Sequence, residues 1–223
     1  MDLSKSYEFF QPDLLKSKIH IIGCGSVGST VAENLARFGI ENMVLYDFDR
    51  VEPHNLANQM FSKEDVGTLK TEAVAKMILG INPDAKKNLK LVNDGWHGQK
   101  LAGYVFLCVD SIELRREIVE SCKGNTYVKA FFDFRTRLTD AQHYATDWSD
   151  RRMVQAFINS MAFSHEEAAE ETPVSACNVT LSVAPTVRMI CAAGVSNFIN
   201  FVKNGDIKKF IQLDAFSFLM ESF

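Results

Sequence analysis

No two of the five cysteines in this 223-residue chain form a Cys-x-x-Cys pair. Cys24, Cys108, Cys122, Cys177 and Cys191 are odd in number and scattered, so neither a disulfide framework nor a tetrathiolate zinc site is encoded, and zinc is not expected. The histidines, His20, His54, His97, His143 and His165, lack metal-ligand spacing and read as surface or core residues. No apolar run approaches the roughly 20 residues of a membrane span. The acidic, aromatic N-terminus lacks the basic and apolar regions of a secretion signal, so the expected compartment is the cytoplasm. Lys and Arg are dispersed and the formal net charge is -4, which disfavours a nucleic-acid partner. Internal repeats and low-complexity tracts are absent.

What is present suits one sizeable core: 47% of the residues are hydrophobic and 23% charged, and a single domain over 1–223 is the expectation. After an amphipathic lead-in over 1–17, residues 18–22 form a short apolar run suited to a buried strand. Val31, Leu35 and Phe38 recur at helical spacing over 29–38, closed by Gly39. Strands are predicted at 43–46, 89–92, 104–109, 127–132 and 141–145, the last pairing antiparallel with its predecessor. Helices are predicted at 70–79, 112–122 and 186–202. This alternation implies an α/β fold: a Rossmann-like, mostly parallel sheet continued by antiparallel strands, with helices on both faces. Over 149–171 a helix-like pattern (Met153, Phe157, Met161) runs into the acids Glu166, Glu167, Glu170 and Glu171, read either as a mobile excursion over the sheet edge or as a solvated surface helix.

The most informative stretch is His20-Ile21-Ile22-Gly23-Cys24-Gly25-Ser26-Val27-Gly28, followed by the strand that ends at Asp47 and Asp49. Gly23 permits the tight turn, Gly25 lets backbone amides of the turn and of Ser26 and Val27 approach a phosphate, and Gly28 allows helix to pack on strand. Alone, this pattern first suggests NAD, with Asp47 on the ribose hydroxyls, and an NAD-dependent oxidoreductase stays open as an alternative.

The residues beyond it redirect the reading. Asp47-Phe48-Asp49 through Asn55-Leu56-Ala57-Asn58-Gln59, then Val66-Gly67-Thr68-Leu69-Lys70, then Cys108-Val109-Asp110-Ser111 resemble the ubiquitin-activating-enzyme-like superfamily, by pattern most of all the ThiF, MoeB and HesA family. The resemblance implies an ATP- and magnesium-dependent adenylyltransferase acting on the C-terminal carboxylate of a small ubiquitin-like, β-grasp or sulfur-carrier protein, and a homodimer for which helix 186–202 offers an apolar face. It implies that the glycine turn and helix N-terminus receive phosphate, that Asp47 binds ribose, and that Lys70 reaches phosphate as a point charge. Asp110 is then the magnesium ligand. Asn55 matches the family's loop asparagine, Arg115 matches an arginine that contacts phosphate or holds the loop, and Asp49 is either a ligand or a turn residue. Cys177 matches the position of a cysteine that joins the activated carboxyl terminus, and is a candidate nucleophile beside the reading of a small buried residue. Cys24 and Cys108 read as packing residues.

Two departures stand out. The family loop reads Asn-x-x-Arg-Gln, but here Asn58 occupies the arginine position before Gln59. The family's N-terminal helix supplies another arginine, whereas the first arginine here is Arg37. That leaves Arg50, His54, Lys63 or a partner to supply the charge, or else a noncatalytic nucleotide-binding subunit of the same family. A relative that activates a carboxylate on a tRNA-bound base is a further alternative, against which the acidic charge balance argues.

Overall fold

The apolar runs of the central strands are continuous because both faces of the sheet are covered. In β1 (Ile19–Ile22), Ile19 and Ile21 enter one apolar layer and Ile22 the other. In β2 (Met43–Tyr46), Met43 and Leu45 oppose Val44 and Tyr46 in the same way. The computed structural model describes residues 1–163 and 181–223. Its further strands are β3 (Lys90–Val92), β4 (Gly103–Leu107), β5 (Val128–Thr136), β6 (Asp140–Asp147), β7 (Phe210–Asp214) and β8 (Leu219–Ser222). All lie in one sheet of order β3-β2-β1-β4-β5-β6-β7-β8. β3 through β5 in that order run parallel, and β6, β7 and β8 are added antiparallel.

Three helices cover one face: α1 (Ser26–Arg37), α2 (Lys70–Ile81) and the long helix Ala184–Asn204, here α5. Val31, Leu35, Val74, Ile78, Ile190 and Phe198 from these helices share a core with Ile21, Leu45, Phe106 and Phe132. On the other face α3 (Ile112–Ser121) and α4 (Arg151–Asn159) bring Ile118, Val119 and Phe157 against Val105, Leu107 and Phe131. The expected α/β architecture is thus observed, including the antiparallel β5–β6 pair.

Differences from the sequence reading have local causes. α1 begins at Ser26 instead of residue 29 because the helix springs directly from the glycine turn. The β7–β8 hairpin was not expected. Its turn has no glycine or proline: Asp214 Oδ1 accepts from the Phe216 and Ser217 amides at 3.0 and 2.9 Å and closes the turn with a side chain. All four residues of β8 are exposed, which removes the alternation that marks a half-buried strand. The helical pattern after residue 149 is α4 as far as Asn159, and the acids Glu166 to Glu171 lie outside the described residues.

Candidate functional site

β2 and β4 lie on opposite sides of β1. At such a switch point the chains leave the sheet in opposite directions and open a crevice at the carboxyl ends of the strands. The glycine turn fills the foot of that crevice. Gly23 has φ +95°, and a Cβ there would stand 2.6 Å from the Cys108 carbonyl oxygen at the end of β4. A Cβ on Gly28 would sit 1.8 Å from the Gly23 carbonyl oxygen, so helix, turn and strand meet in contact. At Gly25, by contrast, a Cβ would meet no protein atom within 4 Å. α1 starts there without a side-chain cap, so its first-turn amides at Ser26, Val27 and Gly28 are open to an anion.

Asp47 ties this turn to the loop after β2. Its Oδ2 accepts from the Cys24 amide at 2.6 Å and its Oδ1 from the Asp49 amide at 2.8 Å. Burial raises the Asp47 pKa above the ordinary aspartate value, against the opposing pull of the two amides. Asp49 in turn fixes the start of α2, for its carbonyl accepts from the Lys70 amide at 2.9 Å and its Oδ2 lies 2.7 Å from Lys70 Nζ. The Lys70 side chain is only 11% exposed. Glycine turn, acidic loop and lysine therefore form one connected unit. Cys24 and Cys108 are both buried, and burial pushes both thiols up, consistent with neutral packing residues.

The loop that follows is closed by its own side chains. Asn55 is buried and its Oδ1 accepts from the Glu52 amide at 2.9 Å. Asn58 ends the short 3-10 helix Pro53–Ala57, and two residues later the Met60 amide donates to Ser29 Oγ on α1 at 3.2 Å. Gln59 Oε1 is buried and has no hydrogen-bond partner. Of the cations considered as replacements for an arginine at position 58, Arg50 donates to the Gly67 carbonyl at 2.7 Å, His54 lies 3.3 Å from Glu52, and Lys63 is exposed.

Asp110, just beyond β4, is exposed and has no hydrogen-bond or ion-pair partner among the described residues. No group of three His, Cys, Asp or Glu residues that could hold a metal ion occurs among them. A magnesium ion held by one carboxylate together with substrate phosphates fits this donor set, since magnesium keeps several waters and needs no all-protein cage. Behind Asp110, Arg115 is buried and donates to the Asp133 carboxylate and to the Val109 carbonyl, bracing the strand end. Arg135 donates to the other oxygen of Asp133 at 2.8 Å, to the Ser160 carbonyl at 2.7 Å and to Ser160 Oγ at 3.0 Å, with its guanidinium 4.2 Å from the Tyr144 ring centre. Asp133 and Arg135 were not singled out from sequence. Their signal is a pair of opposite charges inside the otherwise apolar run Phe131-Phe132-Asp133-Phe134-Arg135. Cys177 lies outside the described residues.

Comparison with known proteins follows the same lines. The ThiF family model matches residues 2–223. Ubiquitin-like modifier-activating enzyme 5 of Culex quinquefasciatus is 31% identical over 138 residues, 55% of this chain and 34% of that protein. Its counterpart in Oryza sativa subsp. japonica is 33% identical over 131 residues, 50% of this chain and 31% of that protein. The match thus spans about a third of the length of these curated relatives. Among solved structures, PaaA superposes with a TM-score of 0.70 at 17% identity, covering 100% of this chain and 68% of that one. Escherichia coli MccB with ATP superposes with a TM-score of 0.69 at 18% identity, covering 95% of this chain and 65% of that one. These structural likenesses establish the fold.

Proposed function

The chain belongs to the ThiF family, and from that premise we propose that it adenylates the C-terminal carboxylate of a small ubiquitin-like or sulfur-carrier protein. The observation that carries this reading is the connected unit at the carboxyl ends of β1, β2 and β4. It joins an uncapped helix start beside open space at Gly25 to a nearly buried lysine and lies beside Asp110, which has no partner among the described residues. In this reading the first-turn amides of α1 receive phosphate oxygens. Each Asp47 oxygen already accepts one amide and has a second lone pair for a ribose hydroxyl. Lys70 offsets phosphate charge, with Asp49 holding its ammonium in place. Asp110 takes a magnesium ion, which when bound would neutralise charge on the departing pyrophosphate. Cys177 is the candidate acceptor of the activated acyl group, and the active form is a cytoplasmic homodimer.

The names of the curated relatives and the solved complex of MccB with ATP support this assignment of substrate class. ATP–pyrophosphate exchange tests it: exchange that depends on magnesium and on an added carrier protein with a free carboxyl terminus is the expected result. ATP binding without exchange for any carrier would favour a second reading, a noncatalytic nucleotide-binding subunit. Asn58, where the family resemblance calls for an arginine, is the observation in its favour.

A further inference from the structure

A triphosphate in the crevice demands more positive charge than the engaged cations offer. Lys70 is paired with Asp49 at 2.7 Å, Arg50 with the Gly67 carbonyl, and Lys76 with Asp65 at 2.8 Å and Glu64 at 3.7 Å. Arg188, early in α5, is exposed and has neither a hydrogen-bond nor an ion-pair partner among the described residues.

Its position follows from how α5 lies on α1. Cys191 Sγ stands 3.7 Å from the Val27 carbonyl oxygen in the first turn of α1. Phe198 and Phe201, farther along α5, have their rings 5.1 and 6.4 Å from that of Tyr104, at the amino end of β4. The two helices therefore run the same way, away from the crevice. Arg188 precedes Cys191 by nearly one turn, about 5 Å along the axis, which brings it toward the level of the N-terminus of α1 on the crevice side.

It lines a cleft of about 500 Å³ with Gln59, Met60, Ser62, Asp65 and Lys76, a neighbour of the crevice whose lining does not include the glycine turn, Asp47 or Lys70. Met60 pins this wall to Ser29 of α1. Asp65 is already engaged by Lys76 at 2.8 Å and by Ser62, whose amide and hydroxyl donate to it at 2.8 and 2.7 Å. Gln59 Oε1, next to Asn58, is a buried acceptor without a donor among the described residues. A guanidinium carries five N–H donors in a rigid fork, so it can satisfy that acceptor with one and still grip phosphate oxygens with others.

We propose that Arg188 closes over the β- and γ-phosphates of bound nucleotide and so supplies, from α5 and with Gln59 as its rest, the cation absent at Asn58. This rests on the crevice being an ATP site. The test is equilibrium binding of ATP, ADP and AMP in magnesium buffer to the full chain and to Arg188→Ala, Arg188→Lys and Asn58→Arg/Arg188→Ala. Arg188→Ala should weaken ATP roughly tenfold or more, the scale of one charge-assisted phosphate contact. AMP should change by less than about twofold, because it lacks the phosphates concerned. Lysine should restore part of the loss and Asn58→Arg most of it, which also shows that the alanine variant is folded. Absence of nucleotide binding by the unsubstituted protein overturns the ATP reading and this inference together. ATP binding unaffected by Arg188→Ala, or an equal loss for ATP and AMP, overturns the role of Arg188 while leaving the ATP reading standing.

Discussion

Replacing Asp133 by asparagine should destabilise the protein severely, and the magnitude can be worked from its surroundings. Asp133 is fully buried and shared by two guanidinium groups whose side chains are only 6% and 14% exposed. Asparagine keeps nearly the same volume and one acceptor oxygen but removes the negative charge. Arg115 would retain the Val109 carbonyl, and Arg135 would retain Ser160 and the Tyr144 ring, yet both charges would be left unneutralised inside the sheet layer. Removing one partner of a buried ion pair typically costs about 3–5 kcal/mol, most of it the penalty of the stranded charge. With a urea slope of about 2 kcal/mol per molar, the unfolding midpoint should fall by roughly 1.5–2.5 M. Converting all three residues to apolar side chains of similar size should recover much of that loss, because no charge is then stranded. A midpoint shift for Asp133→Asn under about 0.5 M would refute the claim that the shared carboxylate neutralises both arginines.

Gly25→Ala and Gly28→Ala should part company. The first adds a methyl where no protein atom lies within 4 Å, so thermal stability should hold while nucleotide binding falls; the second drives a Cβ to 1.8 Å from a backbone oxygen and should lower both. Unaltered ATP affinity in Gly25→Ala would show that phosphate does not approach that face. Stability should also decline on acidification between about pH 6.5 and pH 4. Burial lowers the pKa of both His20 and His143 to about 4, so in that window the unfolded chain binds protons that the folded chain refuses. Each histidine withholds about 3 kcal/mol at the acid end. Urea midpoints across the window, compared with a His143→Gln variant that should flatten the slope, provide the check; identical slopes would exclude the buried histidine as a contributor.

The glycine turn and the strands it joins were legible in the chain because each belongs to a local pattern, whereas Lys70 and Asp110 were named from the family resemblance. A turn needs its glycine within a few residues of the strand end, and a helix declares itself by neighbours three and four apart. Arg115 was read from sequence as an arginine that contacts phosphate or holds the loop; its partner Asp133, 18 positions away on β5, was out of reach. Asp133 could be noticed as a charge among phenylalanines, yet nothing local says that two arginines divide it. Arg188 is further out of reach, because its place on the cleft that Gln59 also lines depends on how α5 lies along α1, a matter of packing between segments about 160 residues apart in the chain. Sequence by itself determined the layered α/β sheet and the foot of the crevice, through periodicity and backbone sterics. Which charges neutralise one another, and that Arg188 has no partner among the described residues, was decided only when the sheet and its helices closed and desolvation drove buried charges such as Arg115 and Asp133 together.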